Sequence, residues 1–150
     1  MNTTGNCLTL TPKDLEFIEV IDLDQGHFPK PWSKIDWLEL NWDHHSLYAW
    51  KISDRIIGFA LFALAPNDNT AHLLKICFDL EWRGKGETLF FWKSCLEYLK
   101  KAQVQSIYLE VESTNSRAIS FYQKTGFKTL RRIKGYYSDG SAATTMQMIM

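Results

Sequence analysis

A short glycine-containing turn joins a β-run to a long amphipathic helix in the middle of the chain, and this junction most constrains the fold. Residues 71–78 form an apolar β-run, and the turn EWRGKGET follows at residues 81–88. Residues 86–101 are compatible with a helix. Four of its apolar residues recur at helical spacing and predict the core-facing side: Leu89, Trp92, Leu96 and Leu99. A strand that leads into a core-packed helix predicts a domain built of packed layers.

The rest of the chain continues the mixture of strands and helices. β-runs cover residues 7–10, 47–52, 56–65, 107–111, 128–136 and 142–150, and further helices are predicted over residues 11–22, 34–41 and 115–124. Thr11 and Pro12 supply a helix start, and Gly126 a helix end. The order β-α-α-β-β-β-α-β-α-β-β predicts an α/β (α+β) fold with a mixed sheet. No repeat or linker divides the 150 residues, so we expect residues 1–150 to form a single domain.

Composition excludes several classes of protein. Hydrophobic residues make up 45% and charged residues 23%, as in soluble globular proteins, and a formal net charge of zero argues against a general nucleic-acid binder. The apolar stretches are too short to span a bilayer, and the N-terminus lacks signal-peptide features. Neither the three cysteines nor the four histidines have metal-ligand spacing. We therefore expect a cytoplasmic protein without a metal and without a nucleic-acid or membrane partner.

The two halves of the chain differ in charge. Residues 1–74 contain 5 basic and 10 acidic residues, whereas residues 75–150 contain 12 basic and 7 acidic ones. This asymmetry suits an anionic cofactor on one side and a cationic substrate on the other, although chance surface charge remains the alternative. The acidic residues expected to attract a cationic substrate are Asp22, Asp24, Asp36 and Glu39.

Two glycines in the EWRGKGET turn make it a candidate anion site. Gly84 and Gly86 let backbone N–H groups approach an anion closely, and the helix N-terminus adds the positive end of its dipole. The turn is not a Walker loop, because no Lys-Ser/Thr follows the second glycine. It is not a dinucleotide fingerprint either, because the third glycine is missing. A purely structural role for both glycines is the alternative.

A second stretch, LEVESTNSRAISFYQKTGF at residues 109–127, carries the candidate catalytic groups. Strand alternation places Glu110 on the opposite face from Leu109 and Val111, and Asn115 and Tyr122 share one face of the following helix. We expect this carboxylate, amide and phenol to converge near the end of the strand, as a base, a ligand clamp and an acid. In the alternative interpretation, Tyr122 is a half-buried aromatic and Glu110 a solvated edge residue.

Together the two stretches resemble the GNAT superfamily of N-acetyltransferases. EWRGKG at residues 81–86 is similar to the acetyl-CoA signature Q/R-x-x-G-x-G/A at both glycines and departs from it at Glu81. The second stretch resembles N-x-x-A-x-x-[LF]-Y-x-x-x-G-F at Asn115, Ala118, Phe121, Tyr122, Gly126 and Phe127. Three further features resemble the ribosomal-protein-alanine N-acetyltransferases: LEV before Asn115, the segment Phe28…Pro31-Trp32-Ser33, and Arg131-Arg132…Tyr136-Tyr137. The resemblance covers nearly the whole chain.

The resemblance implies that acetyl-CoA lies in a V-shaped opening between the β-runs at residues 71–78 and 107–111. The implied cofactor-binding residues are Ile76, Cys77, Phe78, Trp82, Arg83, Gly84, Lys85, Gly86, Glu87, Thr88 and Asn115. It also implies direct attack of an amine on the thioester, with Glu110 as base and Tyr122 as acid. Cys77 falls in mid-strand and Cys95 on an apolar helix face, so we expect both to be small buried thiols and not nucleophiles.

The acceptor remains open at this level. We expect the N-terminal α-amine of a protein, a ribosomal protein included, because an α-amine is easier to deprotonate than lysine. A small amine such as a polyamine or an amino sugar is the alternative acceptor. A non-catalytic acetyl-CoA-binding regulatory module is a third interpretation, against which the presence of both Glu110 and Tyr122 argues. A monomer and a homodimer are both compatible with the sequence.

Overall fold

The computed structural model describes residues 5–28, 30–65 and 67–150. These residues form a seven-stranded sheet in the order β1-β2-β3-β4-β5-β7-β6. The strands are β1 (Asn6–Leu10), β2 (His45–Ile52), β3 (Arg55–Ala65), β4 (Thr70–Phe78), β5 (Ser106–Glu112), β6 (Lys128–Ile133) and β7 (Ala143–Ile149), and the helices are α1 (Phe17–His27), α2 (Lys34–Leu38), α3 (Glu87–Lys101) and α4 (Ser116–Lys124). The predicted α/β architecture with a mixed sheet and this order of elements is confirmed; a short 3-10 turn, Leu80–Trp82, is added before α3.

Apolar residues cover both faces of the sheet. One hydrophobic cluster combines α3 and α4 residues with Leu109 of β5, and a second combines α1 and α2 residues with Phe59 of β3. We call the two sides the α3–α4 face and the α1–α2 face. The predicted alternation of β5 is confirmed, because Ile107, Leu109 and Val111 all belong to the first cluster. The intervening positions of β5, Glu110 among them, therefore lie on the α1–α2 face.

The sheet is split between β4 and β5. These strands are parallel and pair only through residues 70–72 and 106–108, so that the pairing ends at His72 and Tyr108. Residues 73–78 and 109–112 are not paired with each other. A gap thus opens between the two strands, at the position where the resemblance to acetyltransferases implied an opening.

A β-bulge changes which residues of β4 face each side. Leu61 and Phe62 of β3 lie opposite Lys75 and Leu73, which leaves Leu74 as an extra residue in β4. Leu74 packs against the cluster on the α1–α2 face, and Lys75 bonds with Asp24 of α1 on the same side. The bulge therefore brings a lysine to the α1–α2 face where regular alternation would place it on the other.

Helix α1 begins at Phe17, so the predicted start at Thr11 is wrong. The Asp14 N–H donates to the Thr11 carbonyl at 3.0 Å, and the Thr11 N–H donates to Asp14 Oδ2 at 2.8 Å. These bonds close a self-contained turn that does not lead into the i→i+4 pattern of a helix. The helix also extends beyond the predicted end at residue 22, because Leu23 and Asp24 are buried in the α1–α2 face.

The other boundaries differ less. Helix α2 ends at Leu38 and starts at a Ser33–Asp36 capping box. On α3, Leu89 is 43% exposed, so its predicted core position is wrong; Phe91 is buried in its place, beside Trp92. Strand β6 ends at Ile133, and Tyr136 therefore lies in the β6–β7 loop.

Candidate active site

Glu110 lies on β5 just beyond the end of its pairing with β4. His72 Nε2 lies 2.7 Å from Glu110 Oε2 and 3.1 Å from Oε1, and the Tyr136 hydroxyl donates to Oε1 at 2.7 Å. The Glu110 side chain is 12% exposed. Glu110 is thus a largely buried carboxylate held by two neighbours on the α1–α2 face, and the interpretation as a solvated edge residue is wrong.

The Tyr136 hydroxyl donates a hydrogen bond to this carboxylate and keeps its own proton. Its hydrogen bond to Glu110 raises the pKa of Tyr136 to about 12, and partial burial acts in the same direction. The phenol therefore keeps its proton at neutral and moderately alkaline pH. Because β6 ends early, the β6–β7 loop carries Tyr136 back across the sheet to Glu110.

Tyr122 belongs to α4 and lies in the core of the α3–α4 face, where its ring packs edge-on against Phe127. Burial raises the pKa of Tyr122 above its ordinary value, and the nearby phenol of Tyr137 adds to the shift. Within residues 5–28, 30–65 and 67–150, its hydroxyl has no hydrogen-bond partner. Glu110 and Tyr122 therefore lie on opposite faces of the sheet, and their expected convergence near the end of β5 stays a prediction.

The EWRGKGET turn presents open backbone in front of α3. Gly84 and Gly86 have φ values of 74° and 85°, in the region that favours glycine, and no atom of the described residues lies within 4 Å of a Cβ built at either position. Gly86 is the N-cap of α3, and no side chain caps this end of the helix in the described chain. Such a turn fits the close approach of a phosphate to backbone N–H groups.

Several of the predicted cofactor residues already use their side chains within the protein. Arg83 Nε donates to the Phe78 carbonyl at 2.9 Å. Glu87 accepts from Trp50 Nε1 at 2.6 Å. Asn115 is the N-cap of α4 and accepts the Ala118 N–H at 3.2 Å, which leaves its NH₂ group for a ligand. These contacts fix the turn and the start of α4, so any ligand would meet mainly backbone groups there.

Other residues of the turn have exposed or aromatic partners. Lys85 Nζ lies 5.6 Å from the centroid of the Trp82 ring. Glu81, the departure from the acetyl-CoA signature, lies 3.8 Å from Arg55 Nη1 and is mostly exposed. Its negative charge is therefore partly offset by a cation outside the turn.

The thiols lie apart from this chemistry. Burial raises the pKa of Cys77 to about 11, and burial also raises the pKa of Cys95. Both are buried, as predicted, and both stay protonated at neutral pH. Cys77, Ile76 and Phe78 belong to the part of β4 that borders the gap.

Asp24 and Lys75 form a buried ion pair between α1 and β4. Lys75 Nζ lies 2.7 Å from Asp24 Oδ1, with side chains 6% and 0% exposed. Asp24 Oδ2 accepts the Trp32 N–H at 3.0 Å and Trp37 Nε1–H at 2.9 Å. Asp24 is therefore unavailable to attract a cationic substrate, contrary to the prediction. The pair instead attaches the segment before α2 to the strand that borders the gap.

Sequence reasoning missed His72 and left Tyr136 without a role. Nothing local marks His72, because its partner Glu110 is 38 positions away and meets it only through the parallel register of β4 and β5. The signal that could have found it is strand alternation, which places His72 opposite in direction to the core residues Ala71 and Leu73.

Two negative findings concern the described chain only. Across residues 5–28, 30–65 and 67–150, no cluster of three or more His, Cys, Asp or Glu residues could hold a metal ion. In the same residues, no helix combines the length and apolar character that a membrane span needs.

Comparison with known families agrees with this geometry. Residues 17–127 match the Acetyltransferase (GNAT) family, which is well over half of the chain. The chain belongs to the GNAT acetyltransferase family. As a member, this protein is an N-acetyltransferase, and the predicted resemblance is confirmed.

Relatives of this acetyltransferase include enzymes named for protein N-termini. It is 27% identical over 142 residues to N-alpha-acetyltransferase 30 of Schizosaccharomyces pombe, covering 91% of this chain and 94% of the relative. Its fold is similar to that of the ribosomal-protein-S18-alanine N-acetyltransferase from Escherichia coli, with a TM-score of 0.86, 21% identity, and coverage of 97% and 94% of the two chains. A GNAT family acetyltransferase from Elizabethkingia anophelis, solved with acetyl-CoA bound, has a TM-score of 0.79 at 16% identity, covering 97% of this chain and 98% of that one.

Proposed function

We propose that this acetyltransferase works as a single-domain enzyme that transfers an acetyl group from acetyl-CoA to the N-terminal α-amine of a protein. One observation supports the proposal: Glu110 lies on the α1–α2 face of β5, beside the gap, and Tyr122 lies on the α3–α4 face of the same sheet. One side chain can then remove a proton from the amine, and another, on the opposite face, can donate a proton to the leaving sulfur. Glu110 acts on the α1–α2 face, and Tyr122 acts on the α3–α4 face.

The chain has groups suited to each part of acetyl-CoA, which supplies the acetyl group as a thioester. The turn around Gly84 and Gly86 and the uncapped start of α3 would hold the pyrophosphate, with Trp82, Arg83, Lys85, Glu87 and Thr88 around it. The backbone of Ile76, Cys77 and Phe78 at the gap would hold the amides of the pantetheine arm. The NH₂ group of Asn115 would bond to the cofactor from the start of α4.

Proton transfer is assigned to two side chains. Glu110 acts through a water as the base for the amine, and the Tyr122 phenol donates a proton to the leaving thiolate. An α-amine has an ordinary pKa of about 7.7–8.0, against about 10.4 for lysine, so its deprotonation costs less near neutral pH. The carboxylate site therefore favours a chain terminus over a lysine side chain.

The surroundings of Glu110 support a chain end as acceptor. Lys30 Nζ lies 3.4 Å from Ser138 Oγ, so the segment before α2 meets the β6–β7 loop beside this face. A flexible N-terminus, such as that of a ribosomal protein, passes such a restricted entrance more easily than a lysine on a folded surface. The names of the fission-yeast and Escherichia coli enzymes agree with this class of acceptor.

The test is a side-by-side turnover assay with acetyl-CoA. The acceptors are a peptide beginning Ala-Arg, the same peptide with a blocked N-terminus and an internal lysine, and spermidine. We expect the free N-terminal peptide to have the highest kcat/KM, because its amine is both accessible and readily deprotonated. A higher kcat/KM for spermidine would replace this acceptor with a small amine.

A further inference from the structure

His72 is the last residue of β4 that pairs with β5, at the point where the gap between these two strands begins. Its imidazole lies 2.7 Å from the Glu110 carboxylate and packs edge-on against the Tyr108 ring, with centroids 5.3 Å apart. The His72 side chain is 37% exposed, whereas Glu110 is 12% exposed. His72 is thus the more solvent-accessible member of the pair.

The hydrogen bonds define which imidazole nitrogen is open. An ionised Glu110 can only accept, so His72 Nε2 carries the proton of their hydrogen bond. A neutral His72 then has its lone pair on Nδ1. In the described part of the chain, Nδ1 has no hydrogen-bond partner. Both Glu110 oxygens, in contrast, already accept from a neighbour.

We propose that His72 is a second proton-transfer residue, which takes the proton of the acceptor amine at Nδ1, through water, while Glu110 stabilises the imidazolium. This inference rests on the proposed function and deepens it, because it divides the base between two side chains. Glu110 supplies the negative charge next to the amine, and His72 holds the proton. The carboxylate lies 2.7 Å from the imidazole, so it would accept a charge-assisted hydrogen bond while the ring holds the proton.

The proton count requires a route by which one proton reaches solvent. In the transfer, the amine nitrogen forms a bond to the acetyl carbon, and the carbon–sulfur bond breaks. An acceptor that arrives as an ammonium ion loses two protons. One of them replaces the proton that Tyr122 has given to the thiolate. The other must reach solvent. His72 releases it from Nδ1, which restores the neutral imidazole and the Glu110 carboxylate.

Three tyrosines lie near the pair and interact with the Glu110 charge. Burial and the Glu110 charge raise the pKa of Tyr108, and burial and the same charge raise the pKa of Tyr137. Tyr136 stays protonated up to a pKa of about 12. Arg131 acts on Tyr108, and Glu112 acts on Tyr137. The raised pKa values keep all three phenols protonated between pH 5 and 9, so they do not change charge in that range.

The wild-type protein gives a first test that needs no substitution. Imidazole ¹⁵N NMR of the folded enzyme should show a neutral His72 with its proton on Nε2, and titration of Nδ1 at the same pH as the acidic limb of the kcat/KM profile. A neutral tautomer protonated on Nδ1, or a titration well away from that limb, would overturn the proposal. The tautomer is readable even where no tested peptide is acetylated, so this part of the test is separate from failure of the proposed function.

His72→Gln tests the kinetic role. The glutamine amide can still donate to Glu110 but cannot hold the proton, so kcat/KM should fall about 10-fold or more and the acidic limb should change, with acetyl-CoA affinity retained. His45→Gln is the matched control, because His45 lies on β2 and its ring bonds to the Asn41 carbonyl and not to Glu110. Free imidazole should partly restore His72→Ala. A wild-type rate and profile in His72→Gln would show that Glu110 acts alone.

Discussion

The phenol of Tyr122 lies in the core of the α3–α4 face, and burial raises its pKa above the ordinary tyrosine value. A raised pKa means that the phenol is a weaker acid but also that it stays protonated to higher pH. Proton donation to a thiolate is then further uphill than reference values of about 10 and 8.5 suggest. In the proposed reaction, the transfer would therefore require a thiolate that is equally desolvated.

Tyr122→Phe should lower kcat by about 10²-fold or more and leave acetyl-CoA affinity nearly unchanged, because only the proton donor is removed. The ring still packs against Phe127, so thermal stability should change little. The pH profile adds a check: an alkaline limb due to Tyr122 must lie above the ordinary tyrosine pKa. A limb below about pH 9, or an unreduced kcat, would assign the acid to another group.

At the scale of elements, the junction between α1 and β4 depends on the buried pair of Asp24 and Lys75. Lys75 Nζ also lies 4.4 Å from the centroid of the Phe28 ring and 4.8 Å from that of Trp32. One lysine thus holds a helix, a strand and the segment before α2 in a fixed relation. The β-bulge at Leu74 makes this possible, because it turns Lys75 towards α1.

Lys75→Met should reduce the free energy of unfolding by about 3–5 kcal/mol, because it leaves the Asp24 carboxylate buried without its cation. Denaturant melts measure this loss. Lys51→Met is the matched control: its partner Glu16 is 3.0 Å away, but both side chains are a quarter exposed, so the loss should be much smaller. Equal losses in the two variants would mean that the buried pair contributes no more than a surface one.

The glycine turn and the β6–β7 loop offer a second matched comparison. Gly86 and Gly140 both have positive φ, 85° and 89°, with open space at the Cβ position. Alanine at either position should cost about 1–2 kcal/mol of stability through backbone strain. Only Gly86→Ala should weaken acetyl-CoA binding, by about tenfold or about 1.4 kcal/mol, measured by calorimetry. Equal affinities in both variants would remove the turn from the cofactor site.

Across the whole molecule, the local sequence pattern predicted most of the strands but few of the side-chain contacts in the candidate site. Ile107, Leu109 and Val111 alternate strictly, so the burial of β5 was readable from sequence. On α3, adjacent aromatic residues at positions 90–92 give the helix several apolar stripes. The choice of Phe91 over Leu89 for the core depends on how the helix is rotated against the sheet, which local spacing does not encode.

The same limit applies to the candidate site. Glu110 and Tyr122 could be proposed because each belongs to a recognisable stretch of sequence. The His72 contact could not, because it requires the register of two strands joined through α3. The early end of β6, which frees Tyr136 to reach Glu110, is likewise set by the loop and not by strand propensity.

The short pairing between β4 and β5 makes the sheet mechanically discontinuous. Strands β1–β4 and β5–β7 are each joined by long antiparallel ladders, but in the described part of the chain only three residue pairs connect the two groups through the backbone. An extended ligand with amide groups of its own, lying in the gap, would supply hydrogen bonds that β4 and β5 do not make with each other there. The enzyme would then be stiffest while loaded and most compliant after release, so the supply of acyl donor would set how rigid the molecule is.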